Sequence, residues 1–192
     1  MKPRIKPAPD FERLRRALTR QGGLDRAPLL ELKADDEIIA EVMGVSRELA
    51  AGKIEKETWT RLLVQFWYEL GYDAVRLKSG LDLPLTKIGA DDTALIPRAQ
   101  RQWQSESDGP ISDWASFERY PWPRAQDADF SQIELAARIL PEGMKLLISP
   151  YGILEPAMWL MGYAPFAVAL YDAPDLVTAL IERVASIYTP IA

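Results

Sequence analysis

No cysteine and no histidine occur among the 192 residues. Without cysteine the chain can form no disulfide and offers no thiolate to a metal. Without histidine it cannot carry a Ser-His-Asp triad, a Cys-His pair or an HExxH zinc helix. Chemistry performed by these residues therefore falls to Asp, Glu, Arg, Lys, Tyr, Ser or backbone groups. A run of about 18 apolar residues, which a spanning helix needs, is also missing. The N-terminal MKPRIKPAPD has the positive charge of a signal peptide, but no apolar segment follows it. Together these absences predict no membrane partner and a cytoplasmic location. A basic surplus is lacking too: 23 Lys plus Arg against 28 Asp plus Glu leave a net charge of −5, which argues against nucleic acid as a partner. What is present, 48% hydrophobic and 27% charged residues, suits a folded chain with one sizeable core.

Residues 1–9 hold three prolines and three basic residues, the composition of a flexible tail. Helical spacing of Phe11, Leu14, Ala17 and Leu18 predicts a helix from Asp10 to Arg20, stopped by Gly22 and Gly23. Ala27–Lys33 reads as a strand. A helix capped by Asp35 or Asp36 carries Ile38, Ile39, Val42 and Met43 up to Gly44. Over residues 55–70 the apolar positions Trp59, Leu62, Leu63, Phe66, Trp67 and Leu70 follow the i, i+3, i+4, i+7 pattern of an amphipathic helix. Tyr72–Lys78 and Met144–Ser149 read as further strands. Between them lie a hairpin, with Leu85–Ile88 facing Thr93–Ile96 across Gly89–Asp92, an aromatic-rich loop from Pro110 to Pro123, and a helix marked by Phe130, Ile133, Ala137 and Leu140. One long helix is expected from Leu154 to Leu170. A last one begins at Asp172-Ala173-Pro174-Asp175, with a capping carboxylate ahead of an early proline.

Strand and helix in alternation predict parallel pairing through right-handed crossovers, hence an α/β fold. Only three core strands are found, whereas a (β/α)8 barrel takes about 250 residues. The expectation is the N-terminal half of a (β/α)8 TIM barrel, with a β-hairpin excursion between the second and third core strands. It forms a single, truncated domain over 1–192.

Several segments, in their order, resemble the uroporphyrinogen decarboxylase superfamily and above all its non-decarboxylase members. They are Leu24–Glu31 at the start of the first strand, Gly109–Trp114, Phe117–Pro123, Pro141–Lys145, Gly152–Tyr163 and the helix start Asp172–Val177. The resemblance runs from about Phe11 onward. It implies a barrel whose site lies at the C-terminal mouth and one of two chemistries: cofactor-free decarboxylation of porphyrinogen acetates, or zinc-assisted methyl transfer involving a corrinoid protein. The decarboxylases carry an arginine-rich loop after their first strand. Here the corresponding stretch is Leu29–Asp35, with Glu31 and Asp35 in place of the carboxylate-gripping forks. Their aspartate after the second strand falls near Ser79, with Asp82 a stand-in, and their tyrosine after the third strand falls at about Met158.

Alternation along the strands places Leu30, Leu32, Val75 and Leu77 under helices and turns Glu31, Lys33, Arg76 and Lys78 to the other face. Glu31 and Arg76 then meet near the mouth, either as a structural ion pair filling the lumen or as substrate contacts. Tyr151 and Gly152 occupy the loop after the third strand, where tyrosine can stack or hydrogen-bond and glycine lets a ligand approach. Glu155 stands in the first turn of the next helix, a position that the helix dipole also favours. Trp114, Phe117, Tyr120 and Trp122 wall a flat cofactor or pack against the fold. Arg13, Arg15, Arg16 and Arg20 form a solvated helix face or meet an anionic partner.

The resulting expectation has Glu31, Arg76 and Glu155 as catalytic residues and Lys78, Asp82, Tyr151 and Gly152 on a small-molecule substrate. No metal is held by these residues. Zinc and a corrinoid protein are implied by resemblance for the complete enzyme, a corrinoid-linked methyltransferase; this chain alone is expected to be inactive. The alternatives are uroporphyrinogen decarboxylation and a non-catalytic half-barrel module, for which a homodimer is one outcome.

Overall fold

The structure, a computed structural model, describes residues 6–78, 80–90, 101–149 and 152–192. Within them the chain is mixed α/β. The helices are α1 Phe11–Leu18, α2 Asp36–Met43, α3 Ser46–Ala50, α4 Lys56–Glu69, α5 Trp114–Arg119, α6 Ser131–Ile139, α7 Leu154–Met161, α8 Tyr163–Asp172 and α9 Pro174–Tyr188. The strands are β1 Ala74–Lys78, β2 Lys87–Ala90, β3 Arg101–Gln104 and β4 Lys145–Ser149. Among the described residues these strands make two two-stranded sheets and no closed barrel. No helix among them is long and apolar enough to cross a membrane. The chain divides into two compact units, Met1–Lys78 with Phe130–Ser149, and Ser79–Asp129 with Pro150–Ala192.

In the first unit β1 and β4 pair in parallel, Arg76 opposite Leu147 and Lys78 opposite Ser149. Val75 and Leu77 are buried under α4 and α6, as their alternation requires. Val75 packs with Ile39, Phe66, Trp67 and Met144, and Leu77 with Val64 and Ala136. The expected strand Ala27–Lys33 does not form. Its backbone groups go elsewhere: Leu29 N donates to the Asp73 carboxylate at 3.0 Å, Leu32 O accepts from Arg76 at 3.0 Å, and Leu32 N donates to Glu31 at 2.8 Å. A ladder cannot run through peptides already bonded to side chains. Only Leu29 O takes a strand-like bond, from Asp73 N at 3.0 Å. Leu30 and Leu32, expected beneath helices, are 39% and 65% exposed.

Asp73, fully buried at the start of β1, joins the N-terminal segments to the sheet. Its Oδ1 accepts from Asp10 N at 2.9 Å, Arg26 at 2.8 Å and Arg13 at 2.5 Å. Arg13 also grips Asp25 through Nε at 2.7 Å and a terminal nitrogen at 3.0 Å, the two-point fork that favours arginine over lysine. Arg13 is thus 4% exposed rather than part of a solvated face. The expected flexible tail is anchored at Ala8, whose carbonyl accepts from Arg13 and Arg26. Beside it Gly143, at φ +82°, is required twice over: a Cβ there would lie 2.2 Å from the Pro9 carbonyl oxygen.

In the second unit α7, α8 and α9 enclose a core of Leu160, Phe166, Leu180 and Val184, which Leu83, Ile111 and Tyr120 complete. The hairpin is present in altered register. β2 pairs antiparallel with β3, Ile88 opposite Trp103, so Gly89 and Ala90 are strand rather than turn. The expected partner Thr93–Ile96 lies outside the described residues. The aromatic stretch contains α5, capped by Asp113, which accepts from Ser116 N at 2.7 Å. Its rings pack on one another edge to face, Tyr120 on Trp122 at 4.6 Å and Phe117 on Trp122 at 5.3 Å. The long helix expected over Leu154–Leu170 is broken at Gly162, φ +85°. Ala164 N donates to Glu106 O at 3.0 Å, and a Cβ on Gly162 would sit 2.7 Å from Asp108 N. The cap of α9 is Ala173, not Asp172, which ends α8.

Candidate functional site

Parallel strands expose their C-terminal ends to whatever the following loops build, and in α/β folds ligands bind there. Arg76 stands on β1 two residues before its C-terminal end. It donates to Leu32 O at 3.0 Å and, diagonally across the ladder, to Ser149 Oγ at 2.7 Å. A guanidinium has five donors in a rigid fork, so these two bonds fix its plane and leave donors for an incoming acceptor. Glu31 Oε1 accepts from the backbone N–H of the same residue, Leu32, at 2.8 Å.

The expected ion pair of Glu31 with Arg76 is therefore not made. The two residues instead bond the N–H and the C=O of Leu32, and Glu31 is exposed rather than buried in a lumen. They do line one pocket of about 240 Å³. Lys78 joins them at the end of β1, and Lys33 and Asp36 come from the segment running into α2. Ile39, Trp59 and Trp67, from α2 and α4, supply the apolar wall. Three cations and two carboxylates over indole rings suit a small polar or zwitterionic molecule with an apolar part.

Reading the sequence missed Asp36 and the two tryptophans, and it turned Lys33 to the face of Glu31 without giving it a role. Asp36 was legible only as a helix cap, and Trp59 and Trp67 only as core, because pocket membership depends on where β1 lies against α4. The Asp36 carboxyl is raised from its ordinary value. The cause is crowding by protein despite its solvent contact, opposed by the Lys33 charge.

The other expected site residues belong to the second unit or lie outside the described residues. Asp82 is exposed between the buried Leu81 and Leu83. It faces the Tyr188 phenol, pushed up to about 12 by burial first and the Asp82 charge second. Glu155 is in the first turn of α7 and exposed. Gly152 is exposed as well, and a Cβ added there would meet nothing. Tyr151 and Ser79 are outside the described residues. Metal ligation finds no support in the donor set. The chain lacks histidine and cysteine, and among the described residues no three carboxylates lie where they could share a metal ion. Comparison with protein-family models, with curated proteins and with solved structures finds no match to the chain.

Proposed function

We propose that the pocket at the C-terminal end of β1 binds the small-molecule substrate of an enzyme of the uroporphyrinogen decarboxylase superfamily, on its corrinoid-linked methyltransferase side. The observation that carries this reading is the convergence of Glu31, Arg76 and Lys78 on one pocket where a parallel strand ends. The ordered motif set adds to it, and so does the parallel pairing of β1 with β4 through a helical connection. In this reading β1 and β4 are neighbouring strands of a barrel, and the segment through Leu29 lies where the preceding strand would run.

Arg76 then receives an anionic group of the substrate in its remaining donors, and Lys78 adds charge at the same end. Trp59 and Trp67 exclude water from the apolar part. The acidic Glu31 and Asp36 disfavour a polycarboxylated porphyrinogen by repulsion. Zinc, which the resemblance implies as the activator of methyl transfer, does not fit the residues described, which include no histidine or cysteine and no cluster of three carboxylates. A corrinoid protein is the partner that the reading requires.

The test is methyl transfer to cob(I)alamin by the intact gene product across simple methyl donors. Transfer that falls at least about tenfold in Arg76→Met, the loss of one charge-assisted bond, is expected. Turnover of uroporphyrinogen III instead would overturn the reading. A second reading, a non-catalytic half-barrel module, is favoured by β4, which among the described strands pairs with β1 alone and leaves Ile148 51% exposed. A monodisperse monomer on sedimentation, with a single cooperative unfolding transition, would count against that module.

A further inference from the structure

The second unit contains a cleft of about 390 Å³ that the reading above does not use. Trp103 of β3 lines it, 49% exposed, as does Tyr163 at the start of α8, 61% exposed. Met158 and Trp159 of α7 line it too. The walls are tied together. Gln104 Nε2 donates to Thr86 O at 2.9 Å and to Trp159 O at 3.4 Å, so β3 is bonded to α7, and Ala164 N donates to Glu106 O at 3.0 Å. Among the described residues that line the cleft, Glu106 is the one carboxylate, and no lysine or arginine is among them.

This composition selects a ligand class. Aromatic ring faces carry negative potential and attract a cation, most strongly at tryptophan. A carboxylate at the rim adds to that field and repels anions. A neutral sugar needs several free donors and acceptors, but the Gln104 Nε2 already donates to two carbonyls and Ser105 is 4% exposed. A neutral apolar ligand would cover Glu106 without compensating it. The volume lies within the range of small-molecule sites. We propose that this cleft binds a small organic cation of the quaternary or methylated ammonium type, its alkyl groups against Trp159 and Tyr163 and its charge beside Glu106. The inference stands apart from the methyl-transfer reading, since the cleft is in the second unit and its test involves no turnover.

Calorimetric titration of the whole protein with choline, paired with quenching of tryptophan fluorescence, tests it. The comparison ligands are 3,3-dimethylbutan-1-ol, the uncharged isostere of choline, and methyl glucoside, with potassium chloride at matched ionic strength as the salt control. Saturable choline binding is expected, roughly tenfold tighter than the isostere. Glu106→Gln, at an exposed position, should weaken choline several-fold while leaving the isostere and the thermal melt unchanged. Trp159→Leu should weaken choline with a melt that still shows one folded transition. Equal affinity for choline and its isostere, saturable binding of the glucoside, indifference to Glu106→Gln, or no saturable choline binding would each overturn the proposal.

Discussion

Asp73 shows how much one side chain can carry. It lies 60 residues from Arg13 in sequence, and its carboxylate satisfies two guanidinium groups and two backbone N–H groups out of contact with water. Removing one partner of such a buried pair strands the other charge, at a cost of about 3–5 kcal/mol. Asp73→Asn should therefore lower stability by that order in urea unfolding. Arg76→Met, by contrast, should cost only about 1–2 kcal/mol, because it breaks one exposed and one partly buried hydrogen bond and leaves no buried ion behind. Asp25 has a pH signature. The Arg13 fork, its main cause, holds the Asp25 carboxyl down to about 2. With its native value below the usual 3.8, the carboxylate contributes stability above about pH 4, and that contribution is lost as pH falls through about 2. The stability gap between the wild type and Asp25→Asn should be constant near neutrality and close over that acid window. A gap that persists at pH 2 would show that the Arg13 bond does not set it.

At the scale of elements, α4 was legible because Trp59, Leu63, Phe66 and Trp67 recur at the helical period and their own sequence supplies the buried stripe. The strand pattern of Ala27–Lys33 misled for an equally definite reason. Alternation describes side chains, whereas a strand exists only if its peptides find a ladder, and these peptides bond to Asp73, Arg76 and Glu31. The break between α7 and α8 is likewise a matter of neighbours. Gly162 sits mid-run in an apolar stretch, and only the close approach of Glu106 and Asp108 explains why the helix stops there. Gly162→Ala combines a left-handed φ with a clash against the Asp108 backbone. It should cost about 1–3 kcal/mol from the backbone strain alone, read as a lowered urea midpoint. An unchanged midpoint would show that the break relaxes freely.

For the whole molecule, each unit is assembled from two separated stretches of chain. β1 finds its ladder partner β4 about 70 residues later, and the face of α4 is closed by α6. A chain ending at Asp129 therefore keeps α4 and β1 but loses the surfaces that bury Val64 and Leu77. It should show weak near-ultraviolet dichroism and no cooperative transition; a sharp melt would mean that the first unit needs only its own N-terminal stretch. The donor set carries a further expectation. Equilibrium dialysis of the 192-residue chain should find zinc no more tightly held than by scattered carboxylates, and stoichiometric tight binding would reopen metal chemistry on these residues.

Local pattern determined the α/β composition, most helices, the inward faces of β1 and the absence of soft metal ligands, because periodicity, caps and residue type are written in consecutive residues. It also brought forward Arg76 and Lys78, since alternation sorts the faces of β1 without knowledge of the fold, whereas Glu31 was reached through a strand that does not form. Only the tertiary structure decided that Arg76 bonds the Leu32 carbonyl instead of pairing with Glu31, that Asp36, Trp59 and Trp67 join their pocket, and that Arg13 is buried on Asp73. Each of these depends on a partner tens of residues away, and which distant peptide or charge wins a hydrogen bond is settled by packing, not by spacing along the chain.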